Sequence, residues 1–186
     1  EIENVDINTP GMQEQNPAAY AKYLQNLIAY KSSDHKVVYA WFDNSEKTPF
    51  SRGQHISDTP DSLDVISMMY PAELAEFELA DMQTVRTKGT KVVYTISFDK
   101  IQKEYTEKVK EGTETGTFDT YLKSELDKQI GYAGNFDGLI AEYKGTNPIY
   151  MSAEQKAEAK KNQDTFFSVV STWKTGNADK LLTFQG

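Results

Sequence analysis

Cysteine is absent from this 186-residue chain, which removes disulfides, thiolate metal sites and a cysteine nucleophile. Imidazole is scarce as well. His35 and His55 are the two histidines, too far apart in sequence to argue a metal site, and both read as ordinary solvated or capping residues. Positive charge is in deficit, 20 Lys and Arg against 28 Asp and Glu. The resulting net charge of −8 argues against a nucleic-acid partner and against docking on an anionic membrane through a polybasic face. Long apolar runs are missing too, none approaching the ~18 residues of a membrane span. The chain opens on Glu1 with no signal peptide, so the expectation is a processed product whose localisation signal has been cut away. No cofactor and no metal is expected.

What is present is an aromatic-rich composition, 11 Tyr and 9 Phe, in a chain long enough for one domain with a substantial core. Residues 1–16 are polar and read as an extended lead-in. From 17 onward two periods alternate. Tyr20, Tyr23, Leu24, Leu27 and Ile28 recur at helical spacing, and residues 36–42 then form a nearly continuous apolar strand. A polar loop from 43 to about 61 leads to a second strand at 64–69. Leu74, Phe77, Met82 and Val85 line a helix closed by Lys88-Gly89. The third strand is 91–98. The charged stretch from Lys100 to Thr117, with Gly112 and Gly116, reads as an insertion loop or a solvated helix. Phe118, Leu122, Leu126 and Ile130 line a further helix ending at Gly131. The run Gly131-x-x-Gly134-x-x-x-Gly138 precedes a strand, so it is a turn and not a phosphate loop. Residues 136–143 are the fourth strand, Ser152 with Gln155 offers a capping box for a long helix, and a fifth strand begins near 181.

Helices alternating with strands that are apolar on both faces predict a parallel α/β sheet covered by helices. Periodicity leaves a doubly wound sheet and a (β/α) barrel both open.

Residues 135–145 read Asn-Phe-Asp-Gly-Leu-Ile-Ala-Glu-Tyr-Lys-Gly. They resemble the fourth barrel strand of glycoside hydrolase family 18, the chitinases and endo-β-N-acetylglucosaminidases, whose signature is Asp-Gly-x-Asp-x-Asp-x-Glu. Asp137 and Gly138 match it; Ile140 and Glu142 stand where the family has Asp, and Lys144 where it has the general-acid Glu. Residues 34–44, 64–71 and 91–98 extend the likeness, which is similar in type to family 18-like proteins of Bacteroidetes glycan-utilisation systems. The resemblance implies a family 18 (β/α) TIM barrel. With five strands visible where a closed barrel needs eight, residues 17–186 are expected to be its N-terminal part, truncated at strand five.

It also implies what the chain does. Family members hydrolyse by substrate assistance: an Asp orients the substrate's acetamido group and a Glu two residues on protonates the leaving oxygen. By the strand period of two, residues 140, 142 and 144 share one face. Glu142 can take the orienting role. A lysine, with an ordinary pKa of about 10.4, is a poor acid unless burial or a cationic neighbour intervenes. An ion pair between Glu142 and Lys144 is the simpler expectation, and loss of a general acid typically removes roughly 10²–10⁴-fold in rate. The third strand ends Thr95-Ile96-Ser97-Phe98 where the family has small residues, which is expected to fill the floor of the site.

Trp41, Tyr70, Tyr94 and Tyr143 lie in or just after strands one to four, where sugars would stack, or else are core. The expected glycan site therefore comprises Trp41, Asp43, Tyr70, Tyr94, Glu142, Tyr143 and Lys144. The function implied is non-catalytic capture of N-acetylglucosamine-containing oligosaccharides. The alternatives are a hydrolase with a displaced acid (Glu142, Glu46 or Asp43) and an assembly subunit without a glycan site. The expected setting is the cell surface or periplasm, as a lipoprotein beside outer-membrane glycan-uptake proteins.

Overall fold

The computed structural model describes residues 16–48 and 55–186. The expected lead-in, all but its last residue, and residues 49–54 of the polar loop lie outside them. Five strands form one parallel sheet in chain order: β1 (Tyr39–Phe42), β2 (Val65–Met68), β3 (Lys91–Ser97), β4 (Gly138–Glu142) and β5 (Leu181–Gln185). The order never reverses, so there is no switch point of the kind a doubly wound sheet has.

Among the described residues five α-helices accompany the strands: α1 (Pro17–Ser32), α2 (Glu76–Thr87), α3 (Phe98–Glu111), α4 (Phe118–Ile130) and α5 (Ala153–Gly176). Their ends are set locally. Asn16 caps α1 ahead of Pro17, Ser97 caps α3, Thr117 caps α4, and Ser152 with Gln155 closes a capping box on α5. Gly112 ends α3 in the left-handed region at φ 75°, where a side chain would be strained.

The two faces of the sheet differ. Ile66, Met68, Val92, Tyr94, Ile96, Leu139 and Ala141 join the inward sides of the helices, among them Met82, Phe98, Leu122, Phe166 and Val170, in one continuous buried core. Alternate residues point the other way, where Val65, Val93 and Ile140 make a second, smaller cluster with Tyr39 and Leu181. The hydroxyls of Tyr39 and Thr183 lie 3.4 Å apart although their strands are the two edges of the sheet. That contact requires a curved sheet with this face concave, an arc of barrel wall that is not closed among the described residues.

Several boundaries differ from expectation. Residues 36–38 do not join β1: Val37 and Val38 are exposed, and the Val38 amide donates to the Asp64 carboxylate at 2.8 Å instead of to a neighbouring strand. The second strand starts and ends one residue inside its expected range, and β4 begins at Gly138 and ends at Glu142 rather than spanning 136–143. Phe98 opens α3 rather than closing β3. The stretch read as an insertion loop or solvated helix is a 14-residue helix, anchored by buried Phe98 and Ile101.

Candidate functional site

The expected site strand, β4, has two functionally different ends. At its start, the Asp137 carboxylate accepts from Arg86 Nε at 3.1 and 2.9 Å and from the buried Val92 amide at 2.8 Å. The Asp137 amide and carbonyl also join the ladders to Val92 and Leu181. Asp137 thus pins the N-terminal ends of three strands. Gly138 follows because β5 passes too close for any side chain: an added Cβ would stand 2.2 Å from the Leu181 carbonyl oxygen. Neither residue reaches the concave mouth at the other end of β4, ~16 Å along the strand.

At that mouth Glu142 sits on the concave face, half-buried, between Ser97 of β3 and Gln185 of β5. Ile140, one step down the same face, is buried in the concave cluster. Lys144 Nζ lies 3.6 Å from Glu142 Oε1, with the lysine side chain 61% exposed. Lys144 is therefore a largely solvated side chain paired to the neighbouring carboxylate. The backbone beyond β4 is fixed by Asp99 at the start of α3, which accepts from the amides of Lys144 (2.7 Å) and Gly145 (3.0 Å).

The aromatic residues divide by face. Trp41 is on the concave side, paired in register with Ser67, and is 58% exposed. Tyr70 is exposed just past β2. Its backbone is clamped by the Asn44 side chain, which accepts from the Tyr70 amide at 2.7 Å and donates to its carbonyl at 2.8 Å. Asn44 also donates to the buried Glu78 carboxylate at 3.1 Å, and Lys47 Nζ reaches the same carboxylate at 2.5 Å. This network locks the loops after β1 and β2 onto α2.

Tyr94 and Tyr143 do not belong to the site. Tyr94 is fully buried on the helix side and donates its hydroxyl to the Gln129 carbonyl at 2.6 Å; burial, with Tyr132 adding to it, raises its pKa. Tyr143 packs against Phe98, Phe166 and Phe167 in the helix layer. For Tyr143 the period of two already carried the signal, since it cannot share a face with Glu142. The floor is also corrected. Ile96 and Phe98 belong to the helix-side core, so the residues of β3 facing the mouth are Thr95 and Ser97, small hydroxyls that leave room. Together with Tyr70 they line a cavity of ≈ 290 Å³ beyond the ends of β2 and β3.

Neither loop carboxylate is poised as a replacement acid. Hydrogen bonds from Ser45, hydroxyl first and then amide, hold Asp43 below the ordinary carboxylate range. The amide and hydroxyl of Thr48, at 2.7 and 2.8 Å, do the same for Glu46. Trp41 and Glu142 share the concave face with two strands between them, about 14 Å along the curved sheet. Among the described residues no group of three or more His, Cys, Asp or Glu could hold a metal ion.

The whole chain, residues 1–186, matches the family described as glycoside hydrolase family 18, BT1044-like. The chain belongs to this family. A solved structure of BT1044, in a selenomethionine form with a Glu-to-Gln substitution, aligns with a TM-score of 0.60 at 17% identity. The alignment covers 94% of this chain and 58% of that one, so the chain spans under two thirds of the BT1044 structure. At that identity the likeness establishes the fold, a parallel arc of the family 18 TIM barrel. No curated protein sequence matches the chain. On the signature match proposed from the sequence, Asp137 and Gly138 are the matching half, and Ile140, Glu142 and Lys144 the departing half.

Proposed function

We propose that this protein holds N-acetylglucosamine-containing glycans across the concave mouth of its sheet without cleaving them. The observation that carries the reading is Lys144, a cation at the position of the family's general acid, paired at 3.6 Å with Glu142. Hydrolysis by substrate assistance needs a proton delivered to the leaving oxygen, and the two loop carboxyls weighed for that role, Asp43 and Glu46, are both held toward their charged forms. Binding makes no such demand. Trp41 offers an exposed ring for a sugar's apolar face, while Glu142 and Lys144 offer charge-assisted hydrogen bonds to hydroxyl or acetamido groups, typically ~1.5–3 kcal/mol each.

The test pairs an assay with a titration. The protein is incubated with chito-oligosaccharides and with an N-glycan-core substrate, then titrated calorimetrically with the same compounds. Binding without turnover is expected, weakened more by Trp41→Ala than by Lys144→Ala. Turnover by the natural sequence that Glu142→Gln abolishes would overturn the proposal in favour of a hydrolase. The same proposal places the protein at the cell surface or periplasm as a lipoprotein working beside outer-membrane glycan-uptake proteins; fractionation of native cells that finds it in the cytoplasm would refute that part.

A further inference from the structure

On the helix side of the sheet, beneath the loop that follows β4, α3 and α5 bound a recess of ≈ 430 Å³. It faces away from the concave mouth and shares none of the residues argued above to bind glycan there. Three features of its lining bear on what it takes. Tyr150, on the short turn Pro148–Tyr150, is 86% exposed at its rim. The turn is held in shape by Pro148 and by the Asn147 side chain, which accepts from the Ile149 amide at 3.1 Å, so the ring is presented by an ordered backbone. Asn162 of α5 lines the recess and is only 5% exposed, yet its side-chain amide makes no hydrogen bond among the described residues. Its amide atoms keep contact with solvent there, so what enters the recess can take the place of that water. Gln155 spends its Oε1 on the Ser152 amide and keeps its NH₂ free to donate; Gln102 lines the facing wall from α3.

The chemistry of this lining is selective. No Lys or Arg is among the lining residues, so a phosphate, sulfate or carboxylate would enter without a counter-charge. Carboxamides both donate and accept, as adjacent hydroxyl groups require. An exposed aromatic face suits a ring that is apolar on one side and polar at its edge. We propose that this recess is a second saccharide site on the outside of the barrel wall, binding a neutral pyranose with its apolar face on Tyr150 and its hydroxyls on Asn162, Gln155 and Gln102. The assignment follows from the lining alone and stands whether or not the concave mouth binds glycan.

The test is an NMR titration of the ¹⁵N-labelled protein with maltotriose and, separately, with N,N′-diacetylchitobiose. The expected result is saturable shifts at residues 102–106, 146–151 and 155–162 with at least one probe, in the millimolar range. Tyr150→Ala, a substitution at an exposed position, should weaken that binding by roughly two- to tenfold, the scale of one lost stacking contact with its ring. Asn162→Ala should weaken it as well, and Trp41→Ala should leave it unchanged. No shift at those residues with either probe, or an unaltered affinity in Tyr150→Ala, overturns the site. Shifts confined to concave-face residues such as Thr95 and Glu142 overturn it too, while supporting the mouth.

Discussion

Asp137 matches the family 18 signature, yet its surroundings make it a fastener, and Asp137→Ala separates the two roles. The substitution leaves the Val92 amide, which is fully buried, without its 2.8 Å acceptor. Stranding a buried backbone donor costs ~1–3 kcal/mol. It also removes the ion pair to Arg86, whose side chain and that of Asp137 are 24% and 27% exposed. Solvent screening limits that pair to ~1 kcal/mol, and Arg86 retains its bond to the Asn135 carbonyl. The two add to about 3 kcal/mol of lost stability. Asp137→Asn keeps an acceptor for Val92 and gives up the charge, so about 1 kcal/mol is expected. Urea unfolding followed by circular dichroism and by tryptophan fluorescence reads both, as a fall in midpoint at constant slope. The concave mouth lies at the far end of β4, so glycan affinity of the folded variants should not change. An Asp137→Ala protein within ~0.5 kcal/mol of wild type, the range of an ordinary surface substitution, would refute the reasoning.

Gly138→Ala should be worse, because the new methyl meets a backbone carbonyl that cannot turn aside; a loss of ~3 kcal/mol or more is expected, with faster amide exchange across residues 181–185 as β5 is pushed off. Tyr94→Phe removes one buried hydrogen bond and no packing volume, so the midpoint should fall by about 1 kcal/mol with no change in glycan binding; weakened binding would return Tyr94 to the site. His35 is held above its ordinary pKa by its 2.6 Å bond to Asp64, then by the Ser33 carbonyl. A folded-state pKa raised this way gives stability that is complete below ~6.5, the unfolded value, and is lost as pH rises through the folded one. The urea midpoint should therefore decline as pH rises from ~6.5, and His35→Gln should flatten that decline; an unchanged profile in His35→Gln would show the pair to be irrelevant.

The strands were legible because each is a short, nearly continuous apolar run, the pattern a parallel sheet buried on both faces requires. The same continuity hid which side chain faces which way. Lys91-Val92-Val93-Tyr94-Thr95-Ile96-Ser97 alternates except at Val93, but the alternation does not say which face is the mouth, and Tyr94 falls on the helix side only once its pairing with Leu139 is known. Helix α3 was harder for a different reason. Phe98, Ile101 and Tyr105 recur at helical spacing, but among so many charges that three anchors do not stand out. The brackets at the strand starts, Asp64 to Val38 and Asp137 to Arg86, join residues 26 and 51 positions apart, and a single sequence holds no trace of such pairings. Asn44, Glu78 and Asp99 were missed likewise: each acts through a loop backbone or a buried charge, and neither has a period.

On the proposed reading, family and activity part company within one strand. Asp137 and Gly138 answer to constraints that any chain building this arc would meet: an acceptor for the neighbouring strand's first amide, and no side chain where β5 passes. These constraints persist whatever the mouth does, so the matching half of the signature reports architecture. Glu142 and Lys144 stand under no such constraint. Lys144 is largely solvated, and its main-chain position is secured by Asp99 through the amide, independently of the side chain. A substitution there changes the chemistry at the mouth at small cost to folding. That asymmetry makes Lys144→Glu, with Ile140→Asp, the natural pair for restoring proton donation. Because Ile140 is buried in the concave cluster and Lys144 is not, the two substitutions should separate in a stability measurement. Ile140→Asp alone should cost several kilocalories per mole, Lys144→Glu little, and a Lys144→Glu variant that unfolds readily would show the exposed lysine to be part of the scaffold after all.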